Sequence, residues 1–92
     1  MKIYLVNRKN YKWELHEGTL EELKPELELR HIKISPTASI GNWASIGNWA
    51  SIGNNASIGN RARIGNKARI GDRARIGDRA RIGDEASIER IE

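Results

Sequence analysis

The stretch Ala38-Ser39-Ile40-Gly41-Asn42-Trp43 is followed without a gap by Ala44-Ser45-Ile46-Gly47-Asn48-Trp49, and the same six-residue phrase starts again at Ala50, Ala56, Ala62, Ala68, Ala74 and Ala80. A ninth unit, Ala86-Ser87-Ile88-Glu89-Arg90-Ile91, keeps Ala and Ile but not Gly, and upstream Ile32-Lys33-Ile34-Ser35-Pro36-Thr37 fits the frame with Ile in the Ala place. In each unit Ala and Ile stand two apart, on one face of a strand, and the Ser or Arg between them faces the other way. Gly and Asn or Asp follow, the residue types that best accept positive φ and tight corners. The expected unit is therefore a very short strand and a bend, with the bend at Gly-Asx. A helix is excluded, since a glycine in every sixth place would cost about 1 kcal/mol each time and a period of six matches no helical period.

Such strands bury their inner face only by coiling and stacking. Three sides of six residues give a coil of 18 residues, narrow enough for Ile and Ala to fill. Four sides would leave a hole these side chains cannot close. The expected fold is mainly β: a three-sided parallel β-helix of about three coils over residues 32–92. Its inner columns are Ile40/Ile58/Ile76, Ile46/Ile64/Ile82 and Ile52/Ile70/Ile88.

Residues 1–31 do not repeat and read as a small α+β cap over the exposed isoleucine stack. Ile3 and Leu5 alternate as in a strand, Tyr11 to Leu15 forms a second, and Asn7-Arg8-Lys9-Asn10 is the hairpin loop. Thr19 with Glu22 makes a capping box, and Leu20, Leu23 and Leu27 share one side of the short helix it opens. Pro25 is expected to limit that helix or end it near Lys24. Leu29 to Ile34 then forms a strand that feeds the first coil.

The repeat resembles the hexapeptide-repeat, left-handed parallel β-helix family, over about two thirds of the chain. The run Ile34-Ser35-Pro36-Thr37-Ala38-Ser39-Ile40-Gly41 is similar to the way many acyltransferases of that family begin their helix. The resemblance, not the spacing, implies the left hand, which runs against the usual crossover rule, and it implies a homotrimer. The near-identical hexads behind a short non-repeating start also resemble phage-encoded proteins of unknown role and engineered solenoids.

The outer surface changes character along the chain. Residues 38–60 carry no charge, whereas 61–92 carry nine basic and six acidic residues. A period of 18 stacks Trp43 on Arg61 and Arg79, Trp49 on Lys67 and Glu85, and Asn54 on Asp72 and Arg90. Two cation–π contacts and two ion pairs are expected from these columns. Trp43, Trp49, Arg61 and Lys67 are the candidate binding residues, as platforms for a sugar, a nucleotide or a partner surface. In the competing reading the two tryptophans lie beneath residues 1–31 or a neighbouring chain. The seven arginines from Arg61 to Arg81 interleave with Asp72, Asp78 and Asp84 and have no aromatic among them, which argues against nucleic acid.

The composition holds little chemistry. With no Cys there is no thiolate metal site or disulfide framework. His16 and His31 are the two near-neutral bases, both outside the strict repeats. The acyltransferases of the resembled family use a His on or near the helix and a loop protruding from a coil, and its carbonic anhydrases use three His on zinc. This chain has uninterrupted repeats and two His, so neither activity carries over. A remnant acyltransferase using His31 stays as an alternative. No catalytic residue, metal or cofactor is expected. No apolar run reaches a membrane span and Met1-Lys2-Ile3-Tyr4-Leu5-Val6 lacks the features of a signal peptide, so a cytoplasmic chain is expected.

Overall fold

The computed structural model describes residues 1–89. It is a parallel β-solenoid of about three turns with a hairpin and one helix at its N-terminal end. The hairpin is β1 (Lys2–Val6) and β2 (Trp13–Glu17), and the helix is α1 (Leu20–Leu29). The first coil follows as β3 (Lys33–Ile34), β4 (Ser39–Ile40) and β5 (Ala44–Ile46). The second is β6 (Ser51–Ile52), β7 (Ser57–Ile58) and β8 (Arg63–Ile64). The third is β9 (Arg69–Ile70), β10 (Arg75–Ile76) and β11 (Arg81–Ile82), and β12 (Ser87–Ile88) begins a fourth.

These strands form three sheets, one per side of the prism: β12-β9-β6-β3, β10-β7-β4 and β11-β8-β5-β1-β2. Each isoleucine sits on its counterpart one coil away, as the 18-residue period requires. Ile40 pairs with Ile58 and Ile58 with Ile76, Ile46 with Ile64 and Ile64 with Ile82, Ile52 with Ile70 and Ile70 with Ile88. Ile46, Ile64, Ala44, Ala62, Ala68 and Ala74 are fully buried, and the intervening Ser and Arg point outward. Burying one such isoleucine stabilises by roughly 1.5–3 kcal/mol.

The corners differ from the expectation in an instructive way. The residue with positive φ is neither Gly nor Asx but the one after them: Trp43, Trp49, Asn55, Arg61, Lys67, Arg73, Arg79 and Glu85, all with φ between 59° and 68°. The repeat glycines have ordinary backbone angles. Their purpose is close approach. A Cβ on Gly41 would lie 2.5 Å from Asn60 N and 2.6 Å from Asn60 Oδ1, and one on Gly65 would lie 2.6 Å from Asp84 N and Oδ1. The Asx side chain of one coil folds over the glycine of the coil before it. Its Oδ1 accepts from the backbone N–H of that coil's Asx: Asn42 to Asn60 and Asn48 to Asn66 at 2.9 Å, then Asn54 to Asp72, Asn60 to Asp78 and Asn66 to Asp84 at 2.8 Å. The strained corner residue returns a bond of its own, as Arg79 N–H donates to Asn60 O and Glu85 N–H to Asn66 O. The corner donors that a turn would orphan are thus satisfied between coils.

The N-terminal segment joins this lattice. β1 pairs parallel with β5, with Ile3 on Ala44 and Leu5 on Ile46. Ile3-Tyr4-Leu5 therefore acts as one more inner-outer-inner unit, and Ile3 and Leu5 are fully buried. Lys2 takes the place of a corner Asn: its N–H donates to Asn42 Oδ1 at 3.3 Å and its carbonyl accepts from Trp43 N–H at 2.7 Å. β2 runs antiparallel to β1 and ends the sheet. It begins at Trp13 rather than Tyr11, because Tyr11 has φ 61° and the loop is closed by Asn7 Oδ1, which accepts from the N–H groups of Lys9 and Asn10.

The capping box forms as read. Thr19 accepts from Glu22 N–H at 3.1 Å and Glu22 Oε1 accepts from Thr19 N–H at 3.0 Å. Leu23 and Leu27 are buried over the isoleucine stack, with Leu20 packed beside them. The helix does not end near Lys24 but runs through Pro25 to Leu29. Proline removes one N–H, whose partner would be the Glu21 carbonyl. Both residues face solvent, where water replaces that bond, and the burial of Leu23 and Leu27 on either side outweighs the loss. The strand expected over Leu29 to Ile34 shrinks to Lys33–Ile34 for the same reason.

Buried Arg30 locks the helix end to the hairpin. Its Nε donates to Val6 O at 2.7 Å, and its Nη1 donates to Glu26 O at 2.9 Å and Glu26 Oε1 at 3.0 Å. Among the described residues no helix is long and apolar enough to cross a membrane.

Candidate functional site

The five-stranded side of the prism carries the candidate residues. Its outward middle column is Tyr4, Ser45, Arg63 and Arg81, by the register of β1, β5, β8 and β11. Trp43, Arg61 and Arg79 stand at one flanking corner and Trp49, Lys67 and Glu85 at the other. At the N-terminal edge, Trp13 (43% exposed) and Leu15 (40% exposed) stand on the same outer face as Tyr4. The face is thus aromatic and apolar near the hairpin and basic below it.

Trp43 and Arg61 line one cleft of about 390 Å³ with Tyr4, Ser45 and Arg63. The Tyr4 and Trp43 rings are 6.1 Å apart and tilted by 38°, and Lys2 Nζ sits 5.2 Å from the Trp43 ring. Trp49 and Lys67 are not part of it. Trp49 is 56% exposed and stacks on the ring of His31, with centroids 4.0 Å apart and an angle of 10°. The ring contacts of both tryptophans, with Tyr4 and Lys2 for Trp43 and His31 for Trp49, therefore come from the N-terminal segment, not from the column below. Among the described residues the cation–π contact is Lys2 on Trp43, and no ion pair joins Lys67 to Glu85. The expected Asp72–Arg90 pair lies outside the described residues.

The aspartates do not neutralise the arginines either. Asp72, Asp78 and Asp84 each direct one oxygen to a backbone N–H of the preceding coil. The guanidinium groups of Arg61 and Arg63 are left facing water beside two aromatic rings. That combination suits an anionic group carried on a flat ring, through charge-assisted bonds and stacking together. Ser45 and Arg63 follow from the 18-residue period once Trp43 is singled out. Tyr4 does not, because it lies outside the repeat.

A second concavity of about 860 Å³ opens between α1 and the first coil, lined by Leu20, Leu27, Ile32, Ile34, Pro36 and Ile52 with Glu21, Lys24, Glu28 and Lys33 at its rim. Its walls are apolar and its charged groups do not converge.

The histidines are engaged locally. His31 lies on Trp49, and His16 Nε2 is 2.9 Å from Glu14 Oε1. The hydrogen bond from Asn7 Nδ2, with His16 and Arg30 close by, holds the Glu14 carboxyl below its usual range. Among the described residues no group of three His, Asp or Glu is placed to hold a metal ion. No family model, no curated protein and no solved structure matches the chain.

Proposed function

We propose that this chain is a structural interaction module without catalytic activity: a rigid hexapeptide-repeat solenoid that associates with copies of itself. The trimer is the assembly its resemblance implies. The observation that carries the reading is the five-stranded face, where Trp13, Leu15, Tyr4 and Trp43 form an apolar strip on the flat side of a prism. Such a strip beside a regular array of charges is how protein surfaces mark a contact. Near-identical hexads also fit a scaffold, a phage-encoded or engineered one included, since repetition multiplies a surface and dilutes a site. Sedimentation velocity and native mass spectrometry test the proposal. A species at a multiple of the 10.4 kDa chain that grows with concentration is expected. A strict monomer at high concentration overturns it.

The cleft at Tyr4, Trp43, Arg61 and Arg63 favours a second reading, a small-ligand module for sugars or nucleotides bearing an anionic group. Titration of tryptophan fluorescence with sugar phosphates and nucleotides decides it. Saturable quenching lost in Arg63→Ala supports binding, and a flat response removes it.

A further inference from the structure

β2 is an uncovered edge strand. Met1 and Gly18 exchange both backbone bonds, at 3.0 and 2.8 Å, and Asn7 N–H donates to Lys12 O at 2.7 Å. Antiparallel ladders alternate. Residues 12, 14, 16 and 18 therefore turn their backbone groups toward β1, and Trp13, Leu15 and Glu17 turn theirs away. By that alternation those three N–H groups point to the open side of the strand. The same residues place Trp13 and Leu15 side chains on the outer face, so the edge is both unpaired and apolar. Such an edge templates another strand.

We propose that β2 pairs antiparallel with β2 of a second copy about a two-fold axis through Leu15, so that the five-stranded sheet runs continuously into its partner's. The edge is complementary to itself, and its hydrogen-bonding geometry selects the register. Centred on Leu15, the pairing sets Glu14 opposite the partner's His16, His16 opposite the partner's Glu14, and Trp13 opposite the partner's Glu17. It satisfies all the free groups of both edges with about six hydrogen bonds. Centring on Glu14 or Glu17 opposes two carboxylates, and centring on His16 opposes two imidazoles. Centring on Trp13 sets Lys12 against the partner's Glu14, but it also sets Leu15 against Tyr11, which has left the strand at φ 61°, and so forfeits most of the backbone bonds. The Leu15 centre alone brings all three outward residues of one strand against all three of the other, and it sets no like charges opposite each other. The contact is a short strand addition, far below the area of a stable interface, so the dimer is weak.

The inference rests on self-association and adds its geometry. The chain contains no cysteine, so one introduced thiol reports the register. Leu15→Cys, held concentrated under mild oxidation, is expected to form a disulfide-linked dimer as its main product. Lys12→Cys, whose partner in this register is Gly18, is expected to stay monomeric. A mixture of Trp13→Cys and Glu17→Cys links as a heterodimer, and that result decides the matter even if Leu15→Cys misfolds by circular dichroism. His16→Glu, which opposes carboxylates twice, weakens association roughly tenfold. Failure of a folded Leu15→Cys to link, equal linking through Lys12→Cys, or no heterodimer in the mixture overturns the proposal. If higher species still sediment, the edge register has failed and self-association stands. If the chain is also strictly monomeric, both fail.

Discussion

At the N-terminal end of the prism, β1 occupies the place of a missing coil on one side, Leu23 and Leu27 of α1 lie over the isoleucine stack, and Arg30 bolts the two together. At the other end, Ile82, Ile88, Ala80 and Ala86 are only half buried. A Cβ on Gly77 or Gly83 would meet nothing within 4 Å among the described residues. A repeat propagates itself but cannot finish itself. Its first coil is closed by non-repeating sequence that brings its own aromatic and cationic neighbours. Among the described residues its last coil carries Asp78, Asp84, Glu85 and the arginines on its outside. Charge there discourages further strands from adding to an open edge. The same contrast explains why tryptophans stand at the corners of the first coil and Asn, Arg, Lys or Glu at those that follow: Trp43 and Trp49 have Tyr4, Lys2 and His31 to pack against.

If the two ends differ as described, the same substitution must have different consequences along one column. The largest difference is expected in the isoleucines. Ile64 is fully buried between two coils, and Ile64→Ala is expected to destabilise by about 4 kcal/mol through lost burial and a cavity. Ile82→Ala, one coil lower, is expected to lose about 1 kcal/mol, because water already reaches the site. Urea unfolding of the two variants checks this, and equal losses would mean that the lower end is covered.

The glycines should differ in sign. Gly65→Ala forces a methyl group to within 2.6 Å of Asp84 N and Gly83 C. Backbone cannot step aside as a flexible side chain can, so a loss of about 3 kcal/mol is expected. Gly83→Ala meets no such wall, and its ordinary φ admits alanine. Restricting the unfolded chain then stabilises by about 0.5 kcal/mol. Chemical denaturation of both decides it.

How far this was legible depends on what repeats. The isoleucine columns, the three sides and the coil length follow from spacing, because inward and outward residues alternate with a period no other fold accepts. The Thr19–Glu22 box and the hairpin loop were legible because their polar side chains serve the local backbone. The reason for the glycines was not. Gly beside Asn suggests a positive φ, and only the neighbouring coil shows that the constraint is steric, with φ near 60° falling on the next residue whatever its type. The path of α1 through Pro25 was hidden by local propensity, which tertiary burial overrode. At the candidate site the period brought Trp43 and Arg61 together. Tyr4, Lys2 and His31 stayed invisible, since nothing periodic places a non-repeating segment against a repeat.

The side-chain ladder gives a smaller contrast. Asn60 Oδ1 accepts from Asn42 N–H at 2.9 Å, whereas Asn42 Oδ1 accepts from Lys2 N–H at 3.3 Å. Asn60→Ala is expected to lose about 1 kcal/mol and Asn42→Ala clearly less. Asn60→Asp should be near neutral, since Asp78 and Asp84 already fill the same role. Thermal melts of the three rank them, and the order fails if Asn42→Ala is the worst.

The smallest effect belongs to the closed end alone and is a matter of pH. The Glu22 carboxyl is held below its usual range, first by the backbone N–H of Thr19 and then by the Thr19 side chain. A carboxyl lowered in the folded state stabilises that state above its unfolded value, and the contribution disappears as pH falls through the lowered one. Glu14, lowered by Asn7, contributes with the same sign. Acid should therefore loosen the hairpin and α1 before it loosens the isoleucine columns, whose Asx acceptors include neutral Asn60 and Asn66. Thr19→Ala, which removes the cap, is expected to lose about 1 kcal/mol near neutral pH and less once pH has fallen through the lowered Glu22 value and the carboxyl is protonated in both proteins. Amide hydrogen exchange across that range reads the two ends separately. Protection at Leu23 and Leu27 should fall with pH while that at Ile64 and Ile70 holds, and a uniform loss would mean that cap and coils unfold as one unit.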